Sequence, residues 1–132
     1  MNTIIEKLHD LERKISEDKG QFSLFALFLR EDAQDKWDLL AAAPWIEHNK
    51  KDSLNYLVNR LRTTLTPDEL LSLSRIVFVD DGTPSLDALH KAISIEHGTA
   101  EVENSNFLGL EIKHAYIFTS KRQNVSAASQ SP

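Results

Sequence analysis

The stretch RIVFVDDGTPSLDALHKAISI, Arg75 to Ile95, decides how the chain is read. Ile76 to Val79 are four consecutive apolar residues, all β-branched or aromatic, the composition of a strand buried on both faces. The run stops at Asp80-Asp81-Gly82-Thr83-Pro84, a tight-turn composition in which Asp or Thr can also cap a following helix. Leu86, Leu89 and Ile93 then recur at helical spacing and predict a helix over Ser85–Ser94. A buried strand therefore delivers two carboxylates to a turn at the mouth of a helix. In open α/β sheets, ligands are met at the carboxyl ends of strands. Asp80 and Asp81 are thus the first candidates for a binding site.

Upstream, Ile4, Ile5, Leu8, Leu11 and Ile15 predict a helix, capped by Asn2 or Thr3 and stopped at Gly20. Its apolar stripe is narrow, so the helix either lies across a sheet or pairs with a copy of itself. Phe22–Leu29 is apolar on both faces and reads as a central strand. A polar connection, Glu31 to Asp35, separates it from Trp37–Trp45, which predicts an antiparallel hairpin ended by Pro44. Leu54, Leu57, Val58, Leu61 and Leu65 place a helix over Asp52–Leu65, with Asp52 or Ser53 as cap. Thr66-Pro67-Asp68-Glu69 carries the capping-box signature of a short helix through about Leu73.

Downstream of Gly98, a short strand is expected near Glu101–Glu103, a turn at Asn104-Ser105-Asn106, and a longer strand over about Leu110–Thr119. Residues 121–132 hold almost no large apolar side chain and read as a disordered polar tail after one globular domain, 1–120. The order α-β-β-α-α-β-α-β-β describes an α+β domain with a mixed, largely antiparallel sheet of about five strands.

Composition bounds the function classes. Among 132 residues there is no cysteine, which excludes disulfides, thiolate catalysis and Cys-ligated zinc or iron–sulfur centres. A net charge of −5 disfavours nucleic acid as a partner. Arg60, Arg62 and Arg75 could form only a small basic area, with no interleaved aromatic platform. No segment approaches the roughly 20 apolar residues that span a bilayer, and MNTIIEKLHDLERKI lacks a signal-like apolar run. A soluble, cytoplasmic protein without membrane partners is expected.

Two adjacent carboxylates after a strand can hold a divalent cation, because hard ions take oxygen ligands and keep water for the rest. VFVDDG resembles the strand-end VDDGS motif of nucleotide-sugar glycosyltransferases, whose acidic pair helps bind nucleotide and metal. The resemblance covers about six residues. In that family a far larger domain follows the motif, whereas here about 50 residues do and no second acidic motif is present, so the chain is not assigned to it. His9, His48, His90, His97 and His114 form no HExxH and no tight i, i+4 pair, so no metal site is predicted. His114 alternates onto the face of Ile112, Tyr116 and Phe118, where it is either a hydrogen-bonded core residue or a general acid–base group. No G-x-S-x-G elbow, P-loop or GxGxxG occurs, and four glycines cannot furnish much of a phosphate cradle, so no cofactor is expected.

Trp37 and Trp45 bracket Leu39-Leu40-Ala41-Ala42-Ala43 and either plug the sheet's ends or anchor an interface. Glu31, Asp32, Asp35 and Asp38 are expected either to be solvated or to meet a basic partner. The first expectation is a non-catalytic protein acting through protein–protein contact, such as an adaptor, immunity-type or regulatory subunit, as a homodimer. The alternative is a small enzyme or a metal- or nucleotide-binding domain with its site at Asp80 and Asp81, joined by Lys113 and His114.

Overall fold

The computed structural model describes residues 2–32 and 35–122. Helix α1 (Asn2–Lys19) leads into strands β1 (Leu24–Arg30) and β2 (Trp37–Ala42). Three helices follow, α2 (Pro44–His48), α3 (Lys50–Thr64) and α4 (Pro67–Leu70). The chain continues through β3 (Leu73–Phe78), α5 (Pro84–Ala92), β4 (Ala100–Phe107) and β5 (Leu110–Ser120). This is the expected α+β order with α2 added. Pro44 ends β2 as expected and also starts α2, where a fixed φ and a missing amide cost a helix nothing.

The strands form one sheet in the order β3-β2-β1-β5-β4, antiparallel except for the parallel β2–β3 pair. β1 takes the middle because it is apolar on both faces. Phe25, Leu27 and Leu29 pack with Leu8, Ile15, Leu57 and Leu61 of α1 and α3. Leu24, Ala26 and Phe28 pack on the opposite side with Leu86 and Leu89 of α5. The stripe of α1 thus lies across the sheet, with Ile4, Leu8, Leu11 and Ile15 all buried there, and this removes the helix as a dimer seam. The helix stops at Gly20, whose φ of +127° suits glycine, and Gly20 N–H donates to the Ser16 carbonyl at 3.0 Å.

Several boundaries differ from expectation. α3 starts earlier, at Lys50, because Asn49 rather than Asp52 or Ser53 is its cap, with Asn49 Oδ1 accepting from Asp52 N–H at 3.1 Å. The capping box of α4 forms as read, but the helix ends at Leu70 and β3 already begins at Leu73. Asn104–Asn106 belongs to β4, and the hairpin turns instead at Leu108-Gly109, with φ of 57° and 76°. Two consecutive positive φ values match the twist of flanking strands, which is why such turns close hairpins.

The largest correction concerns 76–79. Ile76, Val77, Phe78 and Val79 are half-buried, not buried, because β3 is an edge strand with a neighbour on one side only. Asp38 is a second correction: it is 1% exposed and carries a guanidinium on either side. Arg30 Nε donates to Asp38 Oδ2 at 2.9 Å, while Arg75 Nη2 reaches Oδ2 and Nε reaches Oδ1, each at 3.3 Å. Glu12, a charged residue directly after Leu11 in α1, is likewise fully buried. The expected tail lies outside the described residues apart from Lys121 and Arg122.

Candidate functional site

The turn after β3 forms where the sequence places it. Gly82 adopts φ +79°, and Thr83 Oγ1 accepts from Leu86 N–H to cap α5. The two carboxylates diverge, however. Asp80 Oδ1 accepts from Lys50 Nζ at 2.6 Å, at the start of α3, and this hydrogen bond is the main cause that raises the Lys50 ammonium above its ordinary range. Asp81 Oδ2 accepts from Ser23 Oγ at 3.1 Å, at the start of β1. Each aspartate therefore braces the turn against a different element, Asp80 against α3 and Asp81 against the entry to β1.

His114 lies on β5, which β2 and β1 separate from β3 and its turn, in a different setting. The β4–β5 register sets Glu103 opposite His114 and Glu101 opposite Tyr116. His114 Nε2 stands 2.7 Å from Glu101 Oε2, and the Tyr116 hydroxyl is 3.5 Å from the same oxygen. The imidazole stacks on the Tyr116 ring at 4.8 Å and 25°, and Trp37 lies 5.7 Å from His114 and 5.5 Å from Tyr116. β1 mediates this meeting, since Leu29 is opposite His114 while Phe28 is opposite Asp38, the residue after Trp37. Burial first, and then the negative charge of Glu101 and Glu103, hold the Tyr116 phenol above its ordinary value. The cluster can share protons, and it can offer an imidazole nitrogen and carboxylate oxygens to a cation. Lys113 is exposed and, among the described residues, makes no ion pair with the cluster.

The tryptophans find their partners inside the chain. Trp37 is 7% exposed and packs in the α1–α3 core. Trp45 sets its ring edge against Phe22 and Tyr56, and Nε1 donates to the Gly20 carbonyl at 3.1 Å.

The open edge of β3 was not singled out by sequence reasoning. Val79 N–H donates to the Ala41 carbonyl, and successive residues of a strand turn their backbone groups to alternate sides. The amides and carbonyls of Ile76 and Phe78 therefore face away from β2. Beside this edge runs a shallow, mainly apolar groove between α3 and β3, lined by Val58, Leu61, Leu70, Leu73 and Ile76 together with Arg62, Ser74 and Arg75. Leu71 stands at 66% exposure next to it. The available signal was Leu71, a large apolar residue directly after a helix that ends at Leu70 and is too short to cover it.

Among the described residues no helix is long and apolar enough to cross a membrane. Comparison with known protein families, with curated proteins and with solved structures finds no match for this chain.

Proposed function

We propose that the protein is a non-catalytic interaction module of the adaptor or regulatory-subunit kind, and that it works as a homodimer joined edge to edge through β3. The observation that carries this reading is the unpaired side of Ile76 and Phe78 beside an apolar groove and an exposed Leu71. The two edges of the sheet differ. β4 bears Glu101 and Glu103, and Asn104 within it takes φ +51°, both devices that discourage strand addition. β3 has one charged residue, Arg75, and that side chain is turned onto Asp38. An apolar edge left open invites unlimited stacking of chains, whereas a twofold pairing closes it. Antiparallel pairing of β3 with its copy would join two five-stranded sheets into one and cover Leu71, Leu73 and Ile76.

Light scattering on a size-exclusion column tests this directly. A mass of about 30 kDa, twice the 15.0 kDa of one chain, is expected at micromolar concentration. Ile76→Lys and Leu71→Asp should each shift the species toward 15.0 kDa, and Leu71 is exposed enough that its replacement leaves the fold intact. Amide exchange at Ile76 and Phe78 should be slow in the wild type. A single-chain mass at several hundred micromolar, or a dimer indifferent to both substitutions, would overturn the reading.

A further inference from the structure

We propose that Glu101, Glu103 and His114 form a binding site for a divalent transition-metal ion of the zinc type. The three residues each offer one ligand atom, and these atoms lie within 4.8 Å of one another. No local spacing announces the set, because it is assembled by strand register: Glu103 stands opposite His114, and Glu101 sits two residues along the same edge strand.

Three features favour a cation there. Charge is the first. Glu101 and Glu103 put two carboxylates beside one imidazole, and His114 reaches Glu101 at 2.7 Å, so it can balance at most one of them. The Glu103 carboxylate makes no ion pair among the described residues. Preorganisation is the second. The His114 ring is held by stacking on Tyr116 and by a tilted contact with Trp37, and its Nε2 already faces Glu101. Fixing the orientation of a ligating imidazole is the usual task of outer groups around a metal. Ligand chemistry is the third. One imidazole nitrogen with two carboxylate oxygens suits zinc-like ions, whereas calcium and magnesium take oxygen alone.

The geometry closes with little movement. Zinc bonds of about 2.0–2.2 Å place tetrahedral ligand atoms about 3.4 Å apart. The widest separation, up to 4.8 Å, must therefore close by up to about 1.4 Å while the 2.7 Å His114–Glu101 pair opens by about 0.7 Å, movements that the exposed side chains of Glu101 and Glu103 can supply by rotation. Binding would replace the His114–Glu101 contact by two metal bonds and release any proton carried by Nε2. Three protein ligands leave a fourth position for water or an incoming donor.

Titration calorimetry of the full chain with zinc chloride at neutral pH tests the site. One ion per chain is expected, with quenching or enhancement of Trp37 fluorescence, since that ring lies 5.7 Å from His114. Glu103→Gln and His114→Ala should each weaken binding at least tenfold, while His48→Ala, at the end of α2, should leave it unchanged. Glu103 is exposed, so circular dichroism of Glu103→Gln should match the wild type and separate loss of a ligand from loss of the fold. Magnesium and calcium should not compete at equal concentration. The site is refuted by no saturable binding up to millimolar zinc, or by an affinity that Glu103→Gln and His114→Ala both leave in place.

Discussion

Replacing Glu12 by alanine should be among the most damaging single changes in α1, although the residue sits among charges in the sequence. Its carboxylate is fully buried and serves three partners. Oε2 accepts from Ser16 Oγ at 3.1 Å and from Thr119 Oγ1 at 2.8 Å, and Oε1 meets His97 Nδ1 at 2.8 Å. The network goes further, for His97 N–H donates to Thr119 Oγ1 and the His97 carbonyl receives His9 Nε2. One carboxylate thus ties α1 to β5 and to the segment before β4. Glu12→Ala takes away the acceptor of three hydrogen bonds at once, which costs about 3–5 kcal/mol at roughly 1–3 kcal/mol for each buried group left without a partner. A domain of this kind holds roughly 5–15 kcal/mol in all, so Glu12→Ala should sit near the margin of folding. With a urea slope of about 1.5 kcal/mol per molar, the midpoint should fall by about 2–3 M. Glu12→Gln keeps one acceptor and the shape, and should lose less, about 1–3 kcal/mol. Urea titrations followed by far-ultraviolet dichroism at neutral pH measure both. A Glu12→Ala midpoint within about 0.3 M of wild type would refute the argument, since that shift is under roughly 0.5 kcal/mol.

Asp38→Ala should also destabilise by about 3–5 kcal/mol, because it leaves Arg30 and Arg75 facing each other without their shared carboxylate; a smaller loss for Arg75→Ala than for Arg30→Ala, by urea denaturation, would agree with Arg75 being half-exposed. A pH effect is expected at the α1–α4 contact. Lys7 Nζ donates to Glu69 Oε1 at 2.7 Å, and that bond first, then the Thr66 amide, holds the Glu69 carboxyl below its ordinary value. A depressed folded-state pKa contributes stability above the unfolded value of about 4.3 and loses it as pH falls through the folded one. The difference in stability between wild type and Lys7→Gln should therefore be present at pH 7 and shrink progressively as pH falls below about 4.3, and a difference that does not shrink on acidification would contradict it.

Much of the fold was readable because the signals were local. The two-faced apolar run of β1, the capping box at Thr66 and the turn at Gly82 each depend on a few adjacent residues. Strand neighbours depend on distant ones. Ile76–Val79 has the composition of an inner strand, yet the parallel pairing with β2 leaves it at the edge, and nothing within the run distinguishes these outcomes. The turn at Leu108-Gly109 was overlooked because leucine seldom takes a positive φ, and Asn104-Ser105-Asn106 looked the better turn. Glu12 carried a signal that went unused: with Leu8, Leu11 and Ile15 it falls within the buried stripe, four residues after Leu8. The candidate site was partly visible. His114 and Trp37 were singled out for separate reasons, but their partners Glu101 and Glu103 enter only through the register of β4 and β5, which no sequence spacing encodes.

The place of β5 has a consequence for synthesis. β1, made early, needs β5 as one of its two neighbours, and their pairing joins Leu24 to Ser120. Until residue 120 has left the ribosome, Phe25, Leu27 and Phe28 have one flank bare, and contacts so far apart along a chain form slowly. A stalled nascent chain that ends within β5 would therefore display a sticky central strand, which makes it a natural client for holding chaperones.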